Sequence, residues 1–136
     1  MRVLAGLILA VCMASAATTA SAAPDKGAAL AAQVKAGEAI YARCLACHAL
    51  AYDRTGPRHC GLFGRRAGSV KGFNYSDAMK HSNIVWNEKA LNLFLSNPIK
   101  TVPGTTMTYA GVASEKERSD LISYLKQANT SPECKK

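Results

Sequence analysis

The stretch Cys44-Leu45-Ala46-Cys47-His48, CLACH in one-letter code, places two cysteines three residues apart and a histidine directly after the second. On a helical turn, residues three apart share a face, so both sulfurs can meet the two vinyl groups of one haem. The imidazole of His48 can then turn beneath the iron as a proximal ligand. Because Cys-x-x-Cys-His is the attachment signature of haem c, we predict one covalent haem c.

Two other interpretations of these cysteines stay open at this point. Cys44, Cys47, His59 and Cys60 together make a four-ligand set for zinc, although His48 would then have no role. A redox dithiol of the thioredoxin type expects a strand before the cysteine pair, and no strand pattern is visible there. We favour haem because it uses both cysteines and the histidine that follows them.

The N-terminus has the layout of a secretory signal peptide. Arg2 precedes an apolar run from Val3 to Ala17, and small residues follow at Ala20-Ser21-Ala22. We predict a signal peptide over residues 1–22, cleaved after Ala22, and one domain over residues 23–136. An uncleaved membrane anchor is the alternative, but the apolar run is short for a bilayer span of about 20 residues. We therefore expect export to the periplasm of a Gram-negative bacterium.

The charge balance of the chain is basic. Lys and Arg number 17 against 9 Asp and Glu, which gives a formal net charge of +8. Such an excess favours encounters with acidic surfaces. Nucleic acid is not a predicted partner, because the protein is exported and its basic residues are not interleaved with aromatic ones.

The spacing of apolar residues predicts an all-α fold. Apolar side chains and Gly37 recur at helical spacing in the N-terminal part of the mature chain, and no strand pattern competes. The loops between the helices are too long to be explained by packing alone, so a large group is expected to fill the middle. The predicted helical segments are residues 28–43, a turn at 76–80, residues 87–96 with Asn87 as N-cap and Pro98 beyond the end, and a last helix that opens with a capping box of Ser114 and Glu117.

Taken in order, the motifs of residues 37–127 resemble those of class I cytochromes c of the mitochondrial and bacterial c2 type. The pieces are GEAIYARCLACH, TGP, GLFGRRAG, GFNYSDA, Trp86, Asn97-Pro98, PGTTM, YAG and ERSDLISYLK. The resemblance implies a class I cytochrome c fold, in which the N- and C-terminal helices cross and long loops wrap around one haem. It also implies a soluble electron-transfer protein that is not an enzyme and cycles between Fe(II) and Fe(III).

The resemblance gives roles to individual residues around the haem. His48 becomes the proximal iron ligand and Met107 the distal one, while the Pro57 carbonyl accepts a hydrogen bond from the other ring nitrogen of His48. At the helix crossing, Gly37 and Tyr41 pack on the last helix. The remaining haem contacts are the propionate partners Arg65, Tyr75, Ser76 and Trp86, and Thr105, which orients the Met107 loop.

Two departures from the family pattern lie on the distal side. Phe94 stands where the family usually has a tyrosine hydrogen-bonded toward the methionine sulfur, and Met79 where many members have asparagine. Both changes remove polar groups, and we expect a shifted potential and a more labile bond between Met107 and the iron. A gas-binding or peroxidatic haem enzyme is therefore the competing functional class.

The resemblance also implies docking with redox proteins at the haem edge. Lysines ring this edge in mitochondrial members, but the matching positions here are Ile99, Thr106, Ala113 and Ser114, so association is expected to depend less on salt. Arg43 and Arg58 are among the basic residues that remain as rim candidates. The expected donors are a bc1-type complex or a periplasmic dehydrogenase, and the acceptors an oxidase or a photosynthetic reaction centre. The protein is expected to be a monomer that meets membranes only through its partners.

The resemblance also implies a role for two further cysteines. Once Cys12 has left with the signal peptide, Cys60 and Cys134 are the two outside CLACH. In the class I fold the last helix ends on the same side as the loop after Pro57, which implies a disulfide between them that pins the C-terminus. Two free thiols are the alternative. His59, where relatives commonly carry leucine, is expected to pack near the haem edge and not to bind iron.

Overall fold

A computed structural model describes residues 25–135; the predicted signal peptide lies outside the described residues. Within them, the secondary structure is helical apart from one isolated bridge between Arg66 and Val85. The all-α prediction is confirmed. No helix in this part of the chain is long and apolar enough to cross a membrane. The helices are α1 (Lys26–Tyr41), α2 (Asp77–Lys80), α3 (Glu88–Ser96), α4 (Pro98–Thr101) and α5 (Glu115–Ala128), with 3-10 turns at Ala42–Cys44 and Pro132–Cys134.

Side-chain caps determine where these helices begin. The Asn87 carboxamide accepts from the Ala90 backbone N–H at 2.8 Å and caps α3 as predicted. The Ser114 hydroxyl caps α5 by accepting from the backbone N–H of Glu117 at 3.3 Å. The predicted capping box is nevertheless only half formed, because the carboxylate of Glu117 binds the guanidinium of Arg43 at 3.0 and 3.1 Å instead.

The short helix α4 was not among the predicted helices. Pro98 does follow the end of α3, but it also begins α4 as that helix's first residue, with the Asn97 side chain accepting from the Lys100 backbone N–H at 3.0 Å. Proline is favoured at the first helical position, because its ring fixes φ and the N–H it lacks has no partner there. The same Asn-Pro pair thus ends one helix and starts the next.

Helices α1 and α5 cross at Gly37, as the resemblance implies. A Cβ atom at this position would overlap the backbone carbonyl of Asp120 and lie 2.8 Å from the Cβ of Tyr124. One turn further along α1, the ring of Tyr41 lies 5.1 Å from that of Tyr124 between centroids. Tyr41 and Leu121 belong to the buried core. The crossing joins the two ends of the described chain and closes one side of the fold.

Arg118 connects α5 to two other parts of the structure. Its Nε donates to the Asn92 side chain of α3 at 2.7 Å, and its Nη1 donates to the carbonyls of Val112 and Ala113 at 2.8 Å each. These carbonyls end the segment that follows Met107. The guanidinium therefore fixes the base of the Met107 loop to both helices.

We expect the substitution Arg118→Met to lower the free energy of unfolding by about 1–3 kcal/mol, the cost of leaving partly buried acceptors without a donor. Chemical denaturation of the folded protein measures this change. Lys89→Met, which removes an exposed positive charge from α3, is the matched control and is expected to have little effect. Equal stability of the two variants would contradict the role given to Arg118.

Candidate functional site

The long loops and the helices enclose a cleft with a volume of about 260 Å³. Aromatic and aliphatic side chains from the core make up much of its wall, including Trp86, Leu91 and Phe94. The cleft lies where the long loops predicted a large central group. The predicted site residues that line it are Cys44, Cys47, His48, Pro57, Arg65, Tyr75, Trp86, Thr105 and Met107.

Ser76 is the one predicted haem contact that is not among the residues lining the cleft. Its hydroxyl accepts from the backbone N–H of Met79 at 3.3 Å and caps the short helix α2. The predicted contact between Ser76 and a propionate thus remains a prediction.

The CLACH segment forms a tight turn at the end of α1. The backbone N–H groups of Cys47 and His48 donate to the carbonyl of Cys44 at 3.1 and 2.9 Å. Both thiols are free and line the cleft. Burial raises the pKa of the Cys44 thiol, as expected beside an apolar wall.

The two alternative uses of these cysteines have no support in the structure. Among residues 25–135, no three His, Cys, Asp or Glu side chains are grouped so that they could hold a metal ion. Cys60, which the zinc set needs, lies instead beside Cys134, with their Cα atoms 5.0 Å apart. The dithiol alternative expects a strand before Cys44, where the structure has helix α1 and a 3-10 turn.

His48 is buried, and its ring orientation is tightly constrained. Its Nδ1 donates to the Pro57 carbonyl at 2.7 Å, the hydrogen bond that the resemblance implies. Burial lowers the pKa of His48, which favours the neutral imidazole. With its proton on Nδ1, the ring keeps the Nε2 lone pair for a metal. The backbone of Gly56 lies against the same ring, because a Cβ there would be 2.6 Å from Nε2.

Met107 is half-buried in the cleft lining and is presented by a hydrogen-bonded loop. The Thr105 hydroxyl accepts from the Met107 backbone N–H at 3.2 Å, and the Thr105 N–H donates to the Val102 carbonyl at 3.0 Å. Both contacts fix the backbone on which the thioether is carried. The position of Thr105 agrees with the orienting role that the resemblance implies.

The wall that contains the two departures is apolar. Phe94 and Met79 are both buried and line the cleft, and the ring of Phe94 lies 5.1 Å from that of Trp86. Neither Phe94 nor Met79 offers a hydroxyl or an amide to a ligand atom in the cleft.

Arg65 lines the cleft with part of its hydrogen-bonding capacity unused. Its two terminal nitrogens donate to the carbonyls of Cys60 and Arg58 at 3.0 and 2.9 Å. Its Nε is buried without a partner. Buried polar groups are nearly always paired, so an N–H left over in a cleft indicates a missing acceptor. A propionate would supply one.

These residues fit a haem. Two free thiols suit its vinyl groups, a neutral imidazole and a thioether suit iron, the apolar wall suits the macrocycle, and the spare N–H of Arg65 suits a carboxylate.

Two features of the site were not predicted from the sequence. The ring of His59 stacks on that of His48, with centroids 4.4 Å apart and planes 20° apart, and its Nδ1 lies 3.0 Å from the Tyr41 hydroxyl. Burial, with smaller effects of His48 and Arg65, lowers the pKa of His59 to about 3, so the ring is neutral. The sequence signal for His59 was its place two residues after Pro57.

The second feature is that two of the basic rim candidates are already in ion pairs. Arg43 is paired with Glu117, and Arg58 with an aspartate at 3.0 Å.

Comparisons with known proteins agree with this site. Residues 34–129 match the family model described as Cytochrome c. Cytochrome c2 of Blastochloris viridis is 45% identical over 96 residues, which are 68% of this chain and 76% of that protein. Cytochrome c of Tetrahymena pyriformis is 53% identical over 93 residues, 67% of this chain and 84% of that protein. The solved structure of cytochrome cH from Methylobacterium extorquens superposes with a TM-score of 0.67 at 39% identity and covers 69% of this chain and 97% of that one.

Proposed function

Because the chain belongs to the class I cytochrome c family, whose members carry one covalent haem c, we propose that it is a periplasmic single-electron carrier. It would carry electrons from a respiratory or dehydrogenase donor to an oxidase or similar acceptor. When bound, haem c supplies the one-electron chemistry by alternating between Fe(II) and Fe(III). The observation that carries this proposal is that a histidine, a methionine and two free thiols line one apolar cleft.

The protein's own residues hold and bury the group in this proposal. Cys44 and Cys47 would form the thioethers, and His48 and Met107 would bind the iron. The hydrogen bond from His48 to Pro57 increases the basicity of the imidazole. Among the predicted propionate partners, Arg65 has an unused N–H.

The apolar wall supports electron transfer over catalysis. Peroxide cleavage requires groups that can donate and accept protons beside the iron. Phe94 and Met79 supply no such group. Phe94 would leave the Met107 sulfur without the hydrogen bond that the family tyrosine usually directs toward it, so we keep the expectation of a shifted potential and of a more labile bond between Met107 and the iron.

The proposed partner surface is the rim of the cleft. Thr106 lines the cleft and is exposed, and Leu45, between the cleft-lining Cys44 and Cys47, is about half exposed. The resemblance adds Ile99, which is also about half exposed. Because the charge of Arg43 is paired with Glu117, fewer cations face a partner than the sequence suggests. We propose small, transient interfaces with redox proteins whose association is only moderately salt-dependent. The mature monomer would span residues 23–136 after cleavage behind Ala22.

Carbon monoxide tests the proposed ligand set directly. The reduced wild-type protein is expected to be low-spin and to show no spectral change with CO at neutral pH, because the Met107 thioether would bind the iron and exclude CO. The variant Met107→Ala is expected to bind CO readily. Absorption spectra of the reduced proteins with and without CO measure both results.

Met79→Leu is the matched control, because it removes the other thioether that lines the cleft. It should stay indifferent to CO. Ready binding of CO by the wild-type protein would reject the carrier proposal and favour the gas-binding or peroxidatic alternative.

We also propose that Cys60 and Cys134 form a disulfide that ties the C-terminus to the loop after Pro57. Their Cα atoms are 5.0 Å apart, within the usual range for a disulfide, and the residues are 74 positions apart. The double variant Cys60→Ser with Cys134→Ser is expected to lose ~3–4 kcal/mol of unfolding free energy. Denaturation with and without reductant measures this. Reductant should destabilise the wild-type protein and leave the double variant unchanged; equal insensitivity of both would mean free thiols.

A further inference from the structure

We propose that His59 is a positioning residue for His48, and that the hydroxyl of Tyr41 holds His59 in place. In this arrangement the helix crossing determines the direction of the imidazole plane of an iron ligand. The inference rests on the proposed function, in which His48 binds the haem iron.

The stack on His59 restrains a motion that the hydrogen bond to Pro57 does not. The bond at 2.7 Å fixes the Nδ1 corner of the His48 ring but lets the ring tilt about that corner. The ring of His59 lies nearly parallel to it, at 4.4 Å between centroids and 20° between planes. Tilting His48 would push one ring edge into its neighbour or open a gap, and both cost contact energy. The two contacts together define the ring plane.

His59 is itself held from two directions. Its backbone N–H lies 3.1 Å from the carbonyls of Ala49 and Leu50, which fixes the backbone directly after the Pro57 turn. At the other end of the residue, the Tyr41 hydroxyl lies 3.0 Å from Nδ1. A neutral imidazole with an accepting Nδ1 suits a phenol that donates. The His59 ring therefore has little freedom of its own.

Tyr41 is firmly anchored in the helix crossing. Only 3% of its surface is exposed, and its ring packs against Tyr124 of α5 at 5.1 Å. Burial raises the pKa of Tyr41, so the phenol keeps its proton. Contacts thus run from α5 through Tyr41 and His59 to His48. Leucine, which relatives commonly carry at position 59, has no flat face to stack on His48 and no polar atom to bind the Tyr41 hydroxyl.

The test uses proton NMR of the mature ferric holoprotein, in which the spread of the haem-methyl resonances depends on the direction of the plane of an imidazole bound to the iron. His59→Leu is expected to change this spread. Tyr41→Phe, which removes only the hydroxyl, is expected to change it in the same direction by a smaller amount. His81→Leu is the matched control: His81 is exposed, its Nδ1 donates to the Asp77 carbonyl, and it does not line the cleft, so the spread should stay as in the wild type.

The outcomes separate this inference from the proposed function. A wild-type protein that is not low-spin, or that binds CO when reduced, would reject the proposed ligand set and this inference with it. A low-spin wild type whose methyl spread is unchanged in His59→Leu, even with a lower melting temperature, would overturn the positioning role alone.

A second pair of variants decides the matter if His59→Leu does not fold. His59→Phe keeps an aromatic face against His48 but loses the hydrogen bond to Tyr41, so it should shift the methyl spread much as Tyr41→Phe does. An unchanged spread in both variants would show that His59 is only a packing residue.

Discussion

The variant Gly37→Ala is expected to lose about 3 kcal/mol or more of unfolding free energy. A methyl group at this position would overlap the Asp120 carbonyl and press on Tyr124, so α1 and α5 must move apart along their crossing. Overpacking of a core by one methyl group typically costs 1–3 kcal/mol, and here it meets rigid backbone. The gain of about 1 kcal/mol that alanine brings to a helix interior does not offset this. Chemical denaturation of the holoprotein measures the loss.

Gly27→Ala provides the control within the same helix. Its new Cβ would lie 3.6 Å from the Asp25 carboxylate, an ordinary contact, so its stability should match the wild type or exceed it slightly. If Gly37→Ala had the same unfolding free energy as Gly27→Ala, the result would contradict the close approach of α1 and α5 at Gly37.

The variant Gly56→Ala is expected to weaken the proposed bond between His48 and the haem iron by about 10–100-fold, the range for losing the support of a metal ligand. The new Cβ would lie 2.6 Å from Nε2 and 2.7 Å from Nδ1 of His48. Because both distances are far below contact, the imidazole must leave its position, and Nε2 is the atom proposed to bind iron. The covalent thioethers would still retain the haem.

Absorption and EPR spectra of the ferric Gly56→Ala protein measure this effect as a loss of the low-spin form. Gly27→Ala again serves as control, because it adds the same methyl group far from the cleft. A fully low-spin spectrum of Gly56→Ala would show that the backbone at residue 56 does not support His48.

Local features of the sequence were enough to predict most helices and to select residues that line the cleft. The side chains of Asn87 and Ser114 accept hydrogen bonds from backbone N–H groups three residues further on. Because these caps are local, α3 and α5 begin where the sequence predicted. The haem signature at residues 44–48 is equally local. The helix crossing at Gly37 was implied by the resemblance, and the structure confirms it.

The features that were missed depend on contacts between distant parts of the chain. Glu117 was predicted to complete its own capping box, but Arg43, 74 positions away, competes successfully for the carboxylate. The stack of His59 on His48 depends on the path of the loop between them. The spacing of apolar residues does not predict the path of an irregular loop. Pro98 was interpreted only as a stop, because the helix that it starts is too short to show a pattern.

The crossing of α1 and α5 also determines the order in which the molecule can fold. The hydrogen bond between Gln33 and Ser119 joins residues 86 positions apart, so the crossing closes almost the whole described chain into one loop. Contacts of such long range are slow to form, since the entropy of loop closure precedes any gain. During synthesis α1 emerges long before its partner, and its Gly37 face stays uncovered until the last helix has been made. The crossing of α1 and α5 therefore cannot form until synthesis is nearly complete.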